Sequence, residues 1–318
     1  MAAPGATQVA VLCGGVGAAR LLAGLVRVVA PENCVAIVNV GDDTEIHGLR
    51  ICPDLDTITY TLAGASDPER GWGLKGETWA AMTQLEALGG ETWFRLGDRD
   101  LATHLYRTGR LAQGASLAAV TAEIAAAWGI RVHLLPASED ELRTRLMLAD
   151  GGEVGFQEYF VRHRHAVAVS AVRFAGAETA RPTPGVLESL AHAEALVVAP
   201  SNPVVSIGPV LAVPGVAAAL ARRRDRVVAV SPIVGGRALK GPADRLLREL
   251  GEEASVVGVA RRLREVAGTL VIDEADAALA GAVEEAGMAC RVAPTVMATP
   301  ERAAALVAVV LEEAARGR

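Results

Sequence analysis

Two textures of apolar residues alternate along this chain. Short uninterrupted runs, the first at positions 9–13 and 35–38, have the length and continuity of strands buried on both faces. Between such runs, apolar residues recur at helical spacing, as Leu21, Leu22, Leu25 and Val29 do. The pattern predicts strands over 9–13, 34–40, 166–172, 195–199, 226–230, 270–272 and 290–293. It predicts helices over 18–29, 186–193, 215–222, 243–250, 256–266, 275–286 and 301–315, the last opened by Pro300. Strands alternating with helices imply parallel pairing. The expected fold is α/β: a Rossmann-like, doubly wound, mostly parallel sheet.

The middle of the chain breaks this rhythm. Helical spacing dominates over 58–63, 78–88, 101–107 and 116–127, with a strand at 131–135 and a hairpin pairing 145–148 with 153–155 around Gly151 and Gly152. These patterns divide the chain into a Rossmann-like nucleotide-binding core, 1–63 with 166–318, and a largely helical insertion, 64–165, over the sheet.

Composition narrows the class. The 318 residues, 51% hydrophobic, suffice for one large α/β domain or two modest ones. Only 3% are aromatic, so Ala, Val and Leu must fill the core. Positive charge is almost wholly arginine, with Lys75 and Lys240 the only lysines, a bias read as genome composition. The net charge of −6 gives no electrostatic case for nucleic acid as a partner. Cys13, Cys34, Cys52 and Cys290 are scattered without metal-type spacing, and the first two fall in predicted strands as buried small hydrophobes. Residues 1–8 carry no basic and apolar signal pattern, and no apolar run reaches membrane-spanning length. The expectation is a soluble cytoplasmic protein with no membrane partner.

The candidate chemistry collects where strands should end. Asn39-Val40-Gly41-Asp42-Asp43 follows the second strand and Pro53-Asp54-Leu55-Asp56-Thr57 comes soon after, so four aspartates arrive in two pairs within 15 residues. In open α/β sheets, ligands bind beyond the carboxyl ends of the strands. Carboxylates there meet a hard cation, a sugar hydroxyl or a catalytic proton. Gly14-Gly15-Val16-Gly17 suits a phosphate, since glycines admit a close backbone approach and the helix start offers free amides. No Gly-Lys-Ser/Thr follows it, and Arg20 stands where the dinucleotide fingerprint needs its third glycine. Pro200-Ser201-Asn202-Pro203, with Ser206, makes a rigid polar loop at the same edge. The loop 231–242 adds more glycine, Gly235 included, with Arg237 and Lys240 available for a phosphate or a base carbonyl. In the insertion, Arg95, Asp98, Arg99, Asp100 and His104 form the densest polar cluster, with Asp100 and His104 one helical turn apart. Phe156-Gln157-Glu158-Tyr159-Phe160 reads as a helix on the core or as a wall for an aromatic ligand.

Taken in order, these stretches resemble the 2-phospho-L-lactate transferase / phosphoenolpyruvate transferase family of coenzyme F-420 biosynthesis. The motifs are Gly14-Gly15-Val16-Gly17, Asn39 to Asp43, Pro53 to Thr57, Leu96-Gly97-Asp98-Arg99-Asp100-Leu101-Ala102-Thr103-His104, Phe156-Gln157-Glu158, Pro200-Ser201-Asn202-Pro203, Ser206-Ile207-Gly208-Pro209 and Ser231-Pro232-Ile233-Val234-Gly235. The segments 50–57 and 70–73 look most like the actinobacterial branch. The resemblance implies a reaction in which a guanosine diphosphate ester carries 2-phospholactate or, in the actinobacterial type, phosphoenolpyruvate. The terminal ribityl hydroxyl of the deazaflavin Fo attacks the phosphorus bearing the three-carbon acid, and GMP leaves. It implies Mg2+ as cofactor, small-molecule substrates and a homodimer.

Phosphoryl transfer asks a protein mainly for positioning and charge neutralisation. On that resemblance Asp42, with Asp54 or Asp56, holds the metal. Asp42, Asp56 and His104 form the catalytic set, with His104 or an aspartate taking the hydroxyl proton. Asp56, Arg95, Asp98 and Arg99 bind Fo, and Gly14, Gly15, Gly17, Ser201, Asn202, Ser206 and Gly235 hold the nucleotide. The two donors differ by two hydrogens, which any apolar pocket accommodates, so the sequence does not separate them. A non-catalytic, nucleotide-sugar-binding regulator of the same superfamily would share the glycine loop and the acidic stretch, but the intact 96–104 motif favours the enzyme. Arg20 counts against a nicotinamide-dependent dehydrogenase.

Overall fold

The apolar runs pair side by side into a seven-stranded sheet in the computed structural model, which describes residues 9–317. The 1–8 segment, read above as carrying no signal pattern, lies outside the described residues. The strands are β1 (Val9–Cys13), β2 (Cys34–Val38), β3 (His133–Pro136), β4 (Ala195–Val198), β5 (Val227–Val230), β6 (Thr269–Ile272) and β7 (Ala289–Val292). All neighbours are parallel, and the order from one edge is β3-β2-β1-β4-β5-β6-β7. This is the doubly wound order with one strand added. The strands β1, β2, β4, β5 and β6 are buried at every position, as a parallel sheet covered on both faces requires. Their side chains form one continuous core with α1 (Val16–Leu25) and the C-terminal helix Pro300–Arg316. Cys13 and Cys34 belong to that core.

Between β1 and β4 the winding reverses, which opens a crevice at the carboxyl edge. Register sets Cys13 beside Val38 and Leu12 beside Val198. The loops after β1, β2 and β4 therefore start at nearly one level.

The single insertion expected over 64–165 is instead two excursions from that edge. The first leaves β2 through the hairpin Thr44–Ile46 with Leu49–Ile51, then runs through α2 (Pro53–Leu62), α3 (Ala80–Ala87) and α4 (Asp100–Ala112). It returns through α5 (Leu117–Ala127) to β3, which pairs with β2 from Val35↔His133 to Val38↔Pro136. β3 thus belongs to the sheet rather than to an insertion, because a parallel strand needs a long crossover and the whole excursion serves as one. The second excursion follows β3. Its strand Val169–Ala175, expected in the parallel sheet as 166–172, pairs antiparallel with Arg143–Leu148, which also pairs with Glu153–Gly155. Ser170 and Arg173 interrupt it with polar groups, so it cannot be buried on both faces as a central parallel strand must be.

Helix α2 starts at Pro53, five residues before the helical spacing that announces it. Proline is favoured at a first helical position, and this start lifts Asp54 and Asp56 out of the expected loop onto the first turn. Among the described residues no helix is long and apolar enough to cross a membrane.

Two of the edge loops are pressed together by glycines. A Cβ on Gly17 would stand 2.0 Å from the Pro200 carbonyl oxygen, and one on Gly14 would stand 2.5 Å from Ser206 Cβ. Gly17→Ala is expected to lower the unfolding free energy by about 1–3 kcal/mol, the usual cost of overpacking. A lower urea midpoint with an unchanged denaturant slope would show it; a wild-type midpoint would show that the two loops stand apart in solution.

Candidate active site

The loops at the carboxyl edge and the two excursions enclose a cleft of about 780 Å³. Its floor is built by two helices with matching polar faces. On α2, Asp56 and Tyr60 lie one turn apart; on α4, Asp100, His104 and Arg107 share a face. Arg107 is fully buried and grips both oxygens of Asp56, with Nη1 donating to Oδ2 at 3.1 Å and Nη2 donating to Oδ1. His104 sits between two carboxylates, its Nδ1 3.7 Å from Asp56 Oδ2 and its Nε2 3.3 Å from Asp100 Oδ1. Tyr60 donates to Asp100 at 2.6 Å. Burial pulls the Asp100 carboxyl upward, but His104, Tyr60 and Arg107 outweigh it and hold it below the usual carboxylate range. Both ring nitrogens of His104 lie against protein groups. The imidazole lies beside Asp56 and lines the cleft, and its buried Nε2 makes no hydrogen bond among the described residues, which is compatible with its expected part as a proton acceptor.

Asp42 and Asp54 form a second carboxylate pair. Asn39 orders them, with Nδ2 donating to Asp54 Oδ2 at 2.9 Å and Oδ1 accepting from the Gly41 amide at 2.8 Å. Burial, then the neighbouring Asp54 charge, pushes the Asp42 carboxyl well above its usual range. Burial pushes Asp54 up to about 7 against the pull of Asn39. Asp42 Oδ1 is buried and has no hydrogen-bond partner among the described residues. Asp54 Oδ1 stands 2.6 Å from where a Cβ on Gly15 would be, beside the amino end of α1.

A desolvated carboxylate pair with an orphaned oxygen is relieved by a cation. Among the described residues no three His, Cys, Asp or Glu side chains group to hold a metal by themselves. Magnesium commonly takes one or two carboxylates and completes its shell with water and substrate phosphates. Asp42 and Asp54 fit that mode. Asp56 is already neutralised by Arg107, which removes it from the expected ligand set. Asp43 accepts from Arg50 at 3.1 Å and from the Cys52 thiol at 3.0 Å and is not on the cleft wall.

The rim has the opposite sign. Arg20, Arg95, Arg164 and Lys240 are exposed, line the cleft and pair with no carboxylate among the described residues. Arg95 lies over the Trp79 ring at 4.4 Å, and Arg70 lies over the same ring at 5.3 Å. Trp72, Trp93 and Phe94 make an aromatic wall on this side. Phe156 and Phe160, stacked at 5.6 Å, make a second wall, so the stretch read as core helix or ligand wall does both.

The glycine and serine loops form the remaining side. Gly15, Gly17, Ser201, Asn202 and Ser206 line the cleft. Asn202 Oδ1 accepts from the Val204 amide at 2.9 Å, while its buried Nδ2 has no partner, a donor left for a ligand. Gly14 stands behind the wall and donates to Ser201 Oγ at 3.2 Å.

Three other expected residues are off the wall. Asp98 caps α3, accepting from the Ala80 and Ala81 amides at 2.9 and 3.0 Å. Arg99 ties a loop by donating to the Lys75 carbonyl at 2.7 Å, and the Gly235 amide donates to Asp276 at 2.9 Å. Helix capping and loop closure occupy these groups. Conversely, Arg107 and Tyr60 are structural keys that the motif reading passed over, and Asn39, quoted within its motif, was given no role there. Helical phase points to the first two, since Arg107 is three residues from His104 and Tyr60 four from Asp56.

A family model described as 2-phospho-L-lactate transferase CofD matches residues 9–304. A phosphoenolpyruvate transferase of Kitasatospora aureofaciens is 44% identical over 303 residues, covering 93% of this chain and 94% of that protein. One of Streptomyces griseus is 43% identical over 312 residues, covering 96% and 98%, and one of Mycolicibacterium smegmatis 41% over 320, covering 94% and 96%. The crystal structure of a UPF0052 family protein from Bacillus halodurans superposes with a TM-score of 0.63 at 17% identity, covering 96% of this chain and 99% of that one. That likeness concerns the fold alone.

Two outcomes follow from the electrostatics. Arg107→Met leaves Asp56 buried without its counter-ion and is expected to cost about 3–5 kcal/mol of stability. Adding Asp56→Asn should recover a large part, read by urea unfolding of both variants. The folded protein holds a proton on Asp54 that the unfolded chain releases near about pH 4. The stability drawn from that protonated form is present below about pH 4 and is lost as pH rises through about 7. In magnesium-free buffer, Asp54→Asn is expected to flatten the fall of Tm over this window; an unchanged slope would place the titration elsewhere.

Proposed function

The chain belongs to the 2-phospho-L-lactate transferase CofD family and is a transferase, and we propose that its cleft serves one step of coenzyme F-420 biosynthesis. In that step the enolpyruvyl-phosphoryl group of a guanosine diphosphate ester passes to the terminal ribityl hydroxyl of the deazaflavin Fo, and GMP leaves. The observation that carries this reading is the division of one cleft into a buried acidic floor, an unpaired cationic rim and two aromatic walls. A donor bearing two phosphates and a carboxylate matches the rim, and a planar tricyclic acceptor matches the walls. The names of the curated relatives favour phosphoenolpyruvate over phospholactate.

The residues divide the work accordingly. The first amides of α1 and the side chains of Ser201, Asn202 and Ser206 offer donors to the diphosphate. Arg95 and the tryptophan wall hold the acceptor ring. Asp56, fixed by Arg107 and His104, accepts the hydrogen bond of the ribityl hydroxyl and so directs an oxygen lone pair at phosphorus. The new O–P bond forms as the bond from that phosphorus to the GMP oxygen breaks. The hydroxyl proton leaves late, so a weak base such as Asp56 suffices. Magnesium held by Asp42 and Asp54 with phosphate oxygens would neutralise charge gathering on the departing GMP.

The test is a mass-spectrometric assay of the purified chain with Fo, GTP, magnesium, a guanylyltransferase and either three-carbon acid. Product two mass units below the lactyl compound identifies the phosphoenolpyruvate donor. Asp42→Asn is expected to lower turnover by about 100-fold, at the upper end of what disturbing a metal site costs, with folding intact. No product from either acid, with Fo fluorescence unmoved by the protein, would overturn the transferase reading for this chain and favour a nucleotide-sugar-binding role.

A further inference from the structure

The two lips of the cleft meet across its mouth at one side chain. One lip is the turn around residues 67–74, stiffened where Arg70 pairs with Asp67 at 2.8 Å and donates to the Leu74 carbonyl at 2.7 Å. The other follows the two-residue strands Ile233–Val234 and Arg237–Ala238 and carries Leu239 and Lys240. Lys240 Nζ rests against Gly71, 2.4 Å from where a Cβ would stand. The contact depends on glycine twice, because Gly71 also has φ +75°.

This resting place gives the ammonium nothing to bond. Among the described residues no carboxylate or carbonyl pairs with Lys240. The other lysine, Lys75, donates to the Gly64 carbonyl at 2.9 Å. Of the other rim cations, Arg20 rides on α1 and Arg95 is stacked on Trp79, so neither travels with a loop; Arg164 stands in the turn after Glu158–Arg162 and belongs to neither lip. Lys240 does, on a long flexible stem with three donors to place. Both lips also hold a large apolar side chain in water at the cleft wall, Trp72 at 45% and Leu239 at 57% exposure.

We propose that Lys240 is a donor-binding residue: its ammonium leaves Gly71 for an anionic group of the donor and draws its loop over the cleft, covering Trp72 and Leu239. This rests on the transferase reading above. The anionic group is a phosphate or the carboxylate of the three-carbon acid, which an ammonium binds as a point charge in either case.

The chain's two lysines make the test direct. Reductive methylation with 13C-formaldehyde labels both and keeps their charge, and Lys75→Arg and Lys240→Arg assign the signals. With magnesium present and Fo absent, a saturable shift of the Lys240 signal on adding GDP is expected if phosphate is the target. A shift only with the guanosine diphosphate ester, generated in situ, is expected if the carboxylate is. Lys240→Ala should raise the donor KM about tenfold, the scale of one charged hydrogen bond, and lower kcat by less. Lys240→Arg should recover most of that loss, which a spacer role would not explain. A Lys240 signal that moves with neither ligand while calorimetry records GDP binding overturns the proposal and leaves the transferase reading standing. Calorimetry showing no GDP binding, together with no product in the mass-spectrometric assay above, overturns both.

Discussion

One buried cation makes the cleft floor possible. Asp42, Asp43, Asp54, Asp56 and Asp100 are all buried, and a carboxylate out of water must be paired or protonated. Arg107 pairs with Asp56 and helps to hold Asp100 below the usual carboxylate range, while Asp43, which burial pushes upward, pairs with Arg50. What this leaves is the Asp42–Asp54 pair, which burial pushes upward against the opposing hydrogen bonds of Asn39. The position of Arg107 on α4 thus divides the carboxylates into a set held by protein partners and a pair that meets no protein cation among the described residues. Without it the floor would hold more buried negative charge than two helices can carry.

The sheet decides where this sorting happens. In a doubly wound order the loops after β1 and β4 diverge, and the gap between them is the one place at the carboxyl edge where neither crossover helix covers the sheet. Both excursions leave from that edge, after β2 and after β3, so α2, α4 and the Phe156–Phe160 wall hang over the gap. The fold alone does not choose the chemistry. The choice lies in which side chains the excursions turn inward.

Much of this was legible from pattern. Central parallel strands are uninterrupted apolar runs, and β1, β2, β4, β5 and β6 were found within two residues for that reason, as was the edge strand β7 despite Arg291. β3 was seen as a strand but misassigned, because an edge strand reached through a long excursion loses its rhythmic neighbours. The strand at Val169–Ala175 failed conversely: its apolar residues imitate a core strand, but its partners are antiparallel. In the site, Asp98 and Asp100 stand two residues apart and have opposite fates. Helix α4 begins between them, so Asp98 faces the amides of α3 while Asp100 enters the floor. No motif carries that distinction; it depends on where a helix starts. Arg107 was missed because its partner lies 51 residues away on another helix, and pairing of that kind is a tertiary fact.

The opposed signs of floor and rim also constrain how the site fills. Asp42 and Asp54 are buried with their charged forms disfavoured, and the four exposed rim cations meet no carboxylate among the described residues, so the two zones call for ligand charges of opposite sign. A polyanion that arrives with its metal relieves both at once: its charge meets the rim and its cation meets the floor. A neutral planar ring relieves neither, although it fills the aromatic walls. On the proposed reading, these electrostatics would favour entry of the donor before the acceptor. The carboxylates that would serve the proposed reaction are also the ones whose charge burial disfavours, which is the usual relation between a working site and the fold that supports it.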